Sequence, residues 1–248
     1  MSNSSKTKRK RSLWDIHSHV LPGIDDGSCD WETSLRMMKM SANAGVGTIV
    51  ATPHCLPWAK PVHPDTVREL CQEAADRFFE MTQSPMKVLP GMECYYHSDL
   101  LRQLDQGRAL TVNDSGAVLV EFATGIGYTE MSRGVAELTA GGYKVVVAHI
   151  ERYDCLREKR DGVEGLLNCG AYLQSNISDF QGSFFDPTAR WLKKQYNREL
   201  ISFTASDMHD TDHRRPISVK DVEALKKMVG GDYCYNLLEG NARELFQG

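Results

Sequence analysis

The sequence predicts an α/β fold in which a parallel β-sheet closes into a single barrel. Apolar runs typical of strands alternate with amphipathic helical segments about seven times, the pattern of parallel sheets flanked by helices. With 248 residues and 41% hydrophobic content, the chain can bury one large core without a second domain. Histidines and carboxylates recur where the predicted strands end, and a barrel gathers those ends on one face.

The amino-terminal part of the chain is predicted to supply three strands and two helices. A short apolar start leads into residues 15–27, which are typical of a strand that runs into a loop. The spacing of Trp31, Leu35 and Met38 predicts a helix over 30–44. The alternation then continues as a strand over 48–52, a helix over 65–81 and a strand over 87–93.

The remaining predicted elements keep the same order. They are helix 100–106, strand 117–122, helix 130–140, strand 144–149, helix 163–169, strand 171–176, helix 187–196, strand 200–205 and a last helix over 219–228. No repeat or linker interrupts them, so we expect one domain over 13–248. Residues 1–12 form a Ser/Lys-rich basic arm without an apolar h-region, which we expect to be disordered rather than a signal peptide; its cations are Lys6, Lys8, Arg9, Lys10 and Arg11.

Composition and charge exclude several classes of function. The net charge is −4 and the isoelectric point is about 6.1, so no overall positive field attracts nucleic acid. No apolar run approaches the ~18 residues that a transmembrane helix needs. The seven cysteines stand singly without a CxxC pair, which indicates reduced thiols and a cytoplasmic protein. The oligomeric state stays open, a homo-oligomer included.

Metal-binding side chains lie at the carboxyl end of nearly every predicted strand. His17 and His19 share one face of the first strand because alternate side chains do so. The other strand ends carry His54, Glu93, Glu121, His149, Asp207 and His209. Mixed histidine and carboxylate ligands favour Zn²⁺, Mn²⁺ or Fe²⁺ over Mg²⁺ or Ca²⁺. So many ligands indicate two or three ions, which at about 3.5–4 Å separation orient a phosphate and activate water. The sequence therefore predicts hydrolysis at phosphorus.

Several motifs carry a resemblance to a known family. They are DIHSHVLPGIDDG at 15–27, ATPH at 51–54, GME at 91–93, VEF at 120–122, AHIER at 148–152 and SDMH at 206–209, followed by Arg215-Pro216. The chain resembles the PHP (polymerase and histidinol phosphatase) superfamily and, within it, the manganese-dependent bacterial protein-tyrosine phosphatases of capsule and exopolysaccharide synthesis. The resemblance covers residues 15 to about 245 and implies a distorted (β/α)7 barrel.

The resemblance also implies how the ligands are shared among three ions. One ion is expected to be held by His17, His19, Glu93 and Asp207. Glu93 is expected to bridge to a second ion held with Glu121 and His149. The third set is Asp26, His54 and His209. The resemblance implies Mn²⁺, with Fe, Zn, Co and Mg as the alternatives.

The expected mechanism is hydrolysis of phosphotyrosine by a metal-activated water, without a covalent phosphoenzyme. By the resemblance, Arg152 and Arg215 contact the phosphate, a role that suits a planar guanidinium able to bind two oxygens. Asp26 and His209 are the two candidates for protonating the leaving tyrosyl oxygen. One departure from the family is Ile150, where a proline is usual, and we expect a looser loop before Arg152.

Two further features have a structural and a chemical interpretation. Cys71-x5-Arg77 has the spacing of cysteine-based tyrosine phosphatases, but acidic helix formers lie between the two residues, so we assign it to a helix. Aromatic residues gather near the predicted active-site loops, where packing is the default interpretation. Stacking on the aryl ring of a substrate is the alternative for a subset of Trp58, Tyr95, Tyr96, Phe122, Tyr128, Phe180, Phe184 and Phe185.

Three functions compete at this point. The leading one is a tyrosine phosphatase that, by the resemblance, acts on the phosphotyrosine tail of a bacterial tyrosine kinase and so regulates polysaccharide assembly. The second is a PHP phosphoesterase acting on a small phosphate, either histidinol phosphate or a nucleotide. The third is a regulatory barrel without catalysis, which missing ligands would indicate, and none is missing. The acidic balance argues against nucleic acid as a substrate.

Overall fold

The computed structural model describes residues 12–183 and 185–247. The basic cluster Lys6 to Arg11 and the aromatic Phe184 lie outside them. The strands are β1 (Leu13–Ser18), β2 (Val46–Ala51), β3 (His54–Cys55), β4 (Lys87–Pro90), β5 (Glu93–Tyr95), β6 (Ala117–Glu121), β7 (Lys144–Val147), β8 (Tyr172–Asn176) and β9 (Phe203–Ala205).

Helices follow most of the strands in the chain. They are α1 (Trp31–Asn43), α2 (Pro64–Thr82), α3 (Leu100–Asp105), α4 (Tyr128–Ala140), α5 (Asp154–Glu158), α6 (Gly162–Asn168), α7 (Pro187–Asn197), α8 (Val219–Val229), α9 (Gly231–Tyr235) and α10 (Asn241–Phe246). Several helices begin at a side-chain N-cap. At α1, the Asp30 side chain accepts a hydrogen bond from the Thr33 backbone N–H. At α8, Ser218 and Asp221 form a reciprocal capping box.

The strands form a curled, entirely parallel sheet. Two ladders run β1-β2-β4 and β3-β5-β6-β7-β8-β9. Since β2 leads directly into β3 and β4 into β5, the nine segments amount to seven strands. The chain after β9 returns to β1, because Asp207 N donates to His17 O at 2.9 Å and His19 N donates to Met208 O at 2.9 Å. The predicted distorted (β/α)7 barrel is confirmed.

Alternation along the strands separates the core into two layers. In β6, Val118 and Val120 pack outward against the helices, whereas Ala117 and Leu119 face the barrel interior. The inner layer also contains Ile16, Val50, Val146 and Phe203. Glu121, at the carboxyl end of the strand, lies on the same inward face as Ala117 and Leu119. The apolar interior therefore ends in a polar layer on the face where the loops lie.

The carboxyl-terminal part departs from the expected pattern. The helix predicted to be the last one, over 219–228, is followed by α9, a π-helical turn over Asn236–Gly240 and α10. Leu245 and Phe246 from this segment close the inner layer opposite the polar face. Across residues 12–183 and 185–247, none of the helices combines the length and apolar character needed to cross a membrane.

Candidate metal centre

The buried centre of the polar layer combines two histidines and two carboxylates. His17, His19, Glu93 and Asp207 are each exposed by 1% or less. His17 Nε2 lies 3.3 Å from Glu93 Oε1 and 3.3 Å from Asp207 Oδ1. His19 Nε2 lies 3.3 Å from Glu93 Oε2 and 3.4 Å from Asp207 Oδ1. Two imidazole nitrogens and two carboxylates thus converge on one point.

A second group adjoins the first through Glu93. His149 Nε2 lies 2.8 Å from Glu93 Oε1 and 3.5 Å from Glu121 Oε1. His149, two residues after the end of β7, has a left-handed backbone with φ of 30°. Asp207 also has a positive φ, of 54°. Such backbones cost about 1–3 kcal/mol for non-glycine residues and concentrate at functional sites.

A third group forms the open side of the cluster. His54 Nε2 and His209 Nε2 each lie 3.3 Å from Asp26 Oδ1. His54 also faces Glu93, with Nδ1 3.0 Å from Oε2. The side chain of Asp26 is 64% exposed, so this group borders solvent. All nine predicted ligand side chains therefore lie in one cluster, although their role as metal ligands stays a prediction.

Hydrogen bonds orient three of the histidine rings. The Nδ1 atom of His17 lies 3.1 Å from Gln174 Oε1, and that of His19 lies 2.7 Å from Asp25 Oδ2. The Nδ1 atom of His209 lies 2.9 Å from the Asp207 carbonyl oxygen. These acceptors favour a proton on Nδ1, so Nε2 faces the cluster in all three rings and is the atom that would bind a metal ion. The sequence interpretation missed Gln174 and assigned no such role to Asp25.

Unpartnered buried atoms provide a test of whether metal ions fit these residues. His54 Nδ1 and His209 Nε2 are buried and make no hydrogen bond, although carboxylate oxygens lie 3.0 Å and 3.3 Å away. Lone pairs and carboxylate oxygens that face each other at such distances without hydrogen bonding are typical of ligands around a cation. The mixed N and O donors suit a transition metal. The donor atoms of these residues therefore fit the metal ions that the sequence predicts at this site.

The electrostatics of the cluster shift the pKa values of its two glutamates in opposite directions. Burial opposes ionisation of Glu93, but His17 and His149 outweigh it and hold the pKa of this carboxyl well below its usual range. Burial, together with the charge of Glu93, raises the pKa of Glu121 to about 7. Burial and the neighbouring His19 lower the pKa of His209 to about 4, so its imidazole is neutral at neutral pH. A neutral imidazole is the form that binds metal.

The arginines near the cluster differ from the expected pair. Arg152 Nη2 lies 2.5 Å from Asp207 Oδ2, as its predicted place at the site requires. Arg215 turns away, with Nη1 2.6 Å and Nη2 3.0 Å from the two carboxylate oxygens of Asp221. Arg214 instead reaches the cluster, where its Nη2 lies 2.7 Å from Asp207 Oδ1.

A tight loop explains why Arg214 faces the cluster. Asp210 accepts hydrogen bonds from the backbone N–H groups of Asp212, His213 and Arg214. His209 N donates to the Arg214 carbonyl oxygen at 2.7 Å, which folds the chain back over the site. Two adjacent arginines in a loop cannot be distinguished by sequence pattern, since the direction of each depends on these turns.

The loop before Arg152 is ordered without the usual proline. Ile150 is fully buried and begins a 3₁₀ turn, Ile150–Arg152, that is closed by a hydrogen bond from Arg152 N to His149 O at 3.0 Å. The buried carboxyl of Glu151 accepts from Asn176 N at 2.9 Å and holds the turn against β8. Apolar burial of Ile150 thus replaces the conformational restriction that a proline would give.

The Cys71-x5-Arg77 match lies within a helix, as expected. Cys71 is buried on α2, and burial raises the pKa of its thiol to about 12. Arg77 pairs with Glu73 on the exposed side of the same helix. A buried neutral thiol is no nucleophile, so cysteine-based phosphatase chemistry is excluded at this position. No disulfide bond joins any of the seven cysteines, each of which lies within the described residues.

A parallel barrel with histidines and carboxylates at the carboxyl ends of its strands defines the class of metal-dependent hydrolase barrels. The phosphotriesterase homology protein of Escherichia coli, solved with phosphate in its active site, shares this fold. The TM-score is 0.63 at 13% identity, and the match covers 96% of this chain and 99% of that one.

Within this class, the chain belongs to the family described as "Capsular polysaccharide synthesis, CpsB/CapC", whose model matches residues 13–247. It is similar to tyrosine-protein phosphatase CpsB of Streptococcus pneumoniae, with 31% identity over 243 residues, covering 93% of this chain and 97% of the relative. Tyrosine-protein phosphatase YwqE of Bacillus subtilis is 30% identical over 225 residues, covering 91% and 88%. Crystal structures of YwqE and CpsB, described as unique metal-dependent tyrosine phosphatases, provide a match with a TM-score of 0.84, 30% identity and 94% coverage of each chain.

Proposed function

We propose that this chain is a protein-tyrosine phosphatase that hydrolyses phosphotyrosine at the strand-end cluster. The observation that carries the proposal is the convergence of nine histidine and carboxylate side chains on one face of the barrel, in a family whose relatives are named tyrosine phosphatases. The phosphatase domain spans 13–248. We infer Mn²⁺ as the native ion, with His17, His19, Glu93 and Asp207 as one ligand set.

The other two ligand sets follow the same division. Glu93 is shared with Glu121 and His149, while Asp26, His54 and His209 form the set nearest solvent. Bound ions would supply an activated water and neutralise the charge on the phosphate oxygens.

The chain's own residues orient the substrate. Arg152 and Arg214 approach Asp207 from two sides, 2.5 Å and 2.7 Å from its two oxygens, and each guanidinium keeps further N–H donors for phosphate oxygens. Both side chains are about one-third exposed, so they border the entrance. The 64% exposure of Asp26 on the open side of the cluster supports it as the group that protonates the tyrosyl oxygen as it leaves toward solvent. His209 is better suited to ligation than to protonating the leaving group, since its pKa is lowered.

The physiological substrate is proposed to be the phosphotyrosine tail of a bacterial tyrosine kinase in the cytoplasm. Support comes from the capsular polysaccharide family and from relatives that are named tyrosine phosphatases. Removal of phosphate from such a tail would regulate capsule or exopolysaccharide assembly.

A comparison of three substrates tests the function. Protein stripped of metal and reloaded with Mn²⁺ is expected to hydrolyse a phosphotyrosine peptide far faster than histidinol phosphate or a nucleotide monophosphate. His17→Ala should abolish turnover with the fold retained, whereas His63→Ala is the matched control because that histidine is exposed on the surface. Preference for either small phosphate would refute the tyrosine-phosphatase assignment, and normal turnover of His17→Ala would refute the metal ligands.

A further inference from the structure

An exposed aromatic pair borders the metal centre. Trp58 lies three residues after β3 (His54–Cys55), in the loop that follows this strand, and 67% of it is exposed. Its ring meets that of Tyr95 edge to face, with 4.6 Å between ring centroids and an interplanar angle of 75°. An edge-to-face partner restrains the indole, while most of the Trp58 surface stays open to solvent.

Strand geometry places this pair next to the ligands. Tyr95 follows Glu93 by two residues on β5, so both side chains leave the same face of the strand. Tyr95 is also the register partner of Glu121 on β6. Glu121 Oε2 in turn lies 3.9 Å from His54 Nδ1. The aromatic pair therefore stands on the same side of the cluster as His54 and Glu121.

Other aromatic residues near these loops have structural partners. Tyr96 donates a hydrogen bond to Glu137 and packs on Phe122 at 5.0 Å between centroids. Phe180 is buried against Tyr196 at 5.7 Å. Packing and hydrogen bonding alone therefore account for these aromatic rings, whereas Trp58 is mostly exposed.

We propose that Trp58, held by Tyr95, stacks on the aryl ring of phosphotyrosine and gives the enzyme its preference for aryl over alkyl phosphates. This inference rests on the proposed function. A phosphate fixed at the ligand cluster puts the rigid ring of phosphotyrosine at the rim, where the indole stands. In phosphoserine the phosphate oxygen is bonded directly to the β-methylene, so the side chain offers the indole no planar surface.

Binding of two small phosphonates to the Mn²⁺-loaded protein distinguishes the contribution of the aryl ring to affinity from that of the phosphate. Calorimetry with phenylphosphonate and methylphosphonate is expected to show about tenfold weaker binding of the phenyl compound to Trp58→Ala, equivalent to about 1.4 kcal/mol. Binding of the methyl compound should not change. Trp58→Phe should restore most of the loss, and Phe79→Ala, which removes an exposed aromatic ring from α2, is the matched control.

The kinetic counterpart uses the phosphotyrosine peptide, for which Trp58→Ala should raise KM about tenfold and leave kcat nearly unchanged. Unchanged phenylphosphonate binding, or an equal loss for both phosphonates, would overturn the role of Trp58 while wild-type peptide turnover still supports the phosphatase. Absence of wild-type turnover on the peptide would overturn the proposed function and this inference with it.

Discussion

Replacement of Asp25 by asparagine tests whether the residues behind the ligands control metal binding. The Asp25 carboxylate accepts from three donors: His19 Nδ1 at 2.7 Å, Gly27 N at 3.0 Å and His54 N at 3.2 Å. An asparagine has one acceptor oxygen, so its NH₂ group must face either the His19 ring or the Gly27 N–H. Facing the ring, it favours a proton on Nε2 of His19, which removes the lone pair needed for ligation.

The expected magnitude follows from this geometry. Loss of a partner that orients a metal-binding histidine lowers affinity about 10–100-fold, which is about 1.4–2.7 kcal/mol. Calorimetric titration of Mn²⁺ into stripped Asp25→Asn protein measures it, and circular dichroism checks that the fold is retained. Asp99→Asn is the control, because Asp99 is an exposed carboxylate paired with Arg102 away from the cluster. Wild-type affinity in Asp25→Asn would refute the reasoning.

Three further predictions concern the arginines, acid stability and metal removal. Arg214→Ala should lower kcat/KM about 100-fold in steady-state assays because a positive charge at the site is lost. Arg215→Ala should change kcat/KM less than threefold. The reverse order of the two effects would restore Arg215 as the phosphate contact. Asp221→Asn should destabilise the protein by about 1–2 kcal/mol at pH 6. Although burial opposes ionisation, Arg215 and Ser218 lower the pKa of Asp221 to about 2. The contribution of Asp221 to stability is therefore present above about pH 3.8 and lost toward pH 2. Urea denaturation should show the free energies of unfolding of wild type and variant converging over this range as the pH falls. A difference that stays constant with pH would contradict the assignment. Removing the ions with a chelator should lower Tm by about 5–10 °C, if the free ion concentration before removal was about 100 times Kd. Scanning calorimetry measures this change, and an unchanged Tm would argue against bound metal.

The fold was largely predictable because parallel strands leave a local pattern. Buried runs such as 117–120 and 145–148 are apolar on both faces, and helices of ordinary length separate them. The pattern failed after residue 228, where Gly230-Gly231 has the composition of a helix end. The structure instead continues with short helices whose burial depends on contacts with the distant strand β1 and its neighbours, for example Phe246 against Trp14.

The candidate site was predictable to the extent that residue type and strand position determine it. Histidines and carboxylates at strand ends are visible in the sequence because a barrel brings those ends together. Gln174 was not, since glutamine on a strand has no distinguishing spacing and its role depends on contacts with His17 and the His149 backbone. The direction of Arg214 and the pairing of Trp58 with Tyr95 likewise arise through space rather than along the chain.

The wide separation of the proposed ligands along the chain would affect how the protein acquires metal ions. The cluster joins His17 near the start of the barrel to His209 after its last strand, and the β1 ladder is completed only by residues 207 and 208. During synthesis, an emerging chain therefore lacks Asp207 and His209, and so two of the three proposed ligand sets, until almost all of the barrel has left the ribosome. Which ion is loaded would then be decided by the metals that the finished barrel meets, rather than by those available to the growing chain.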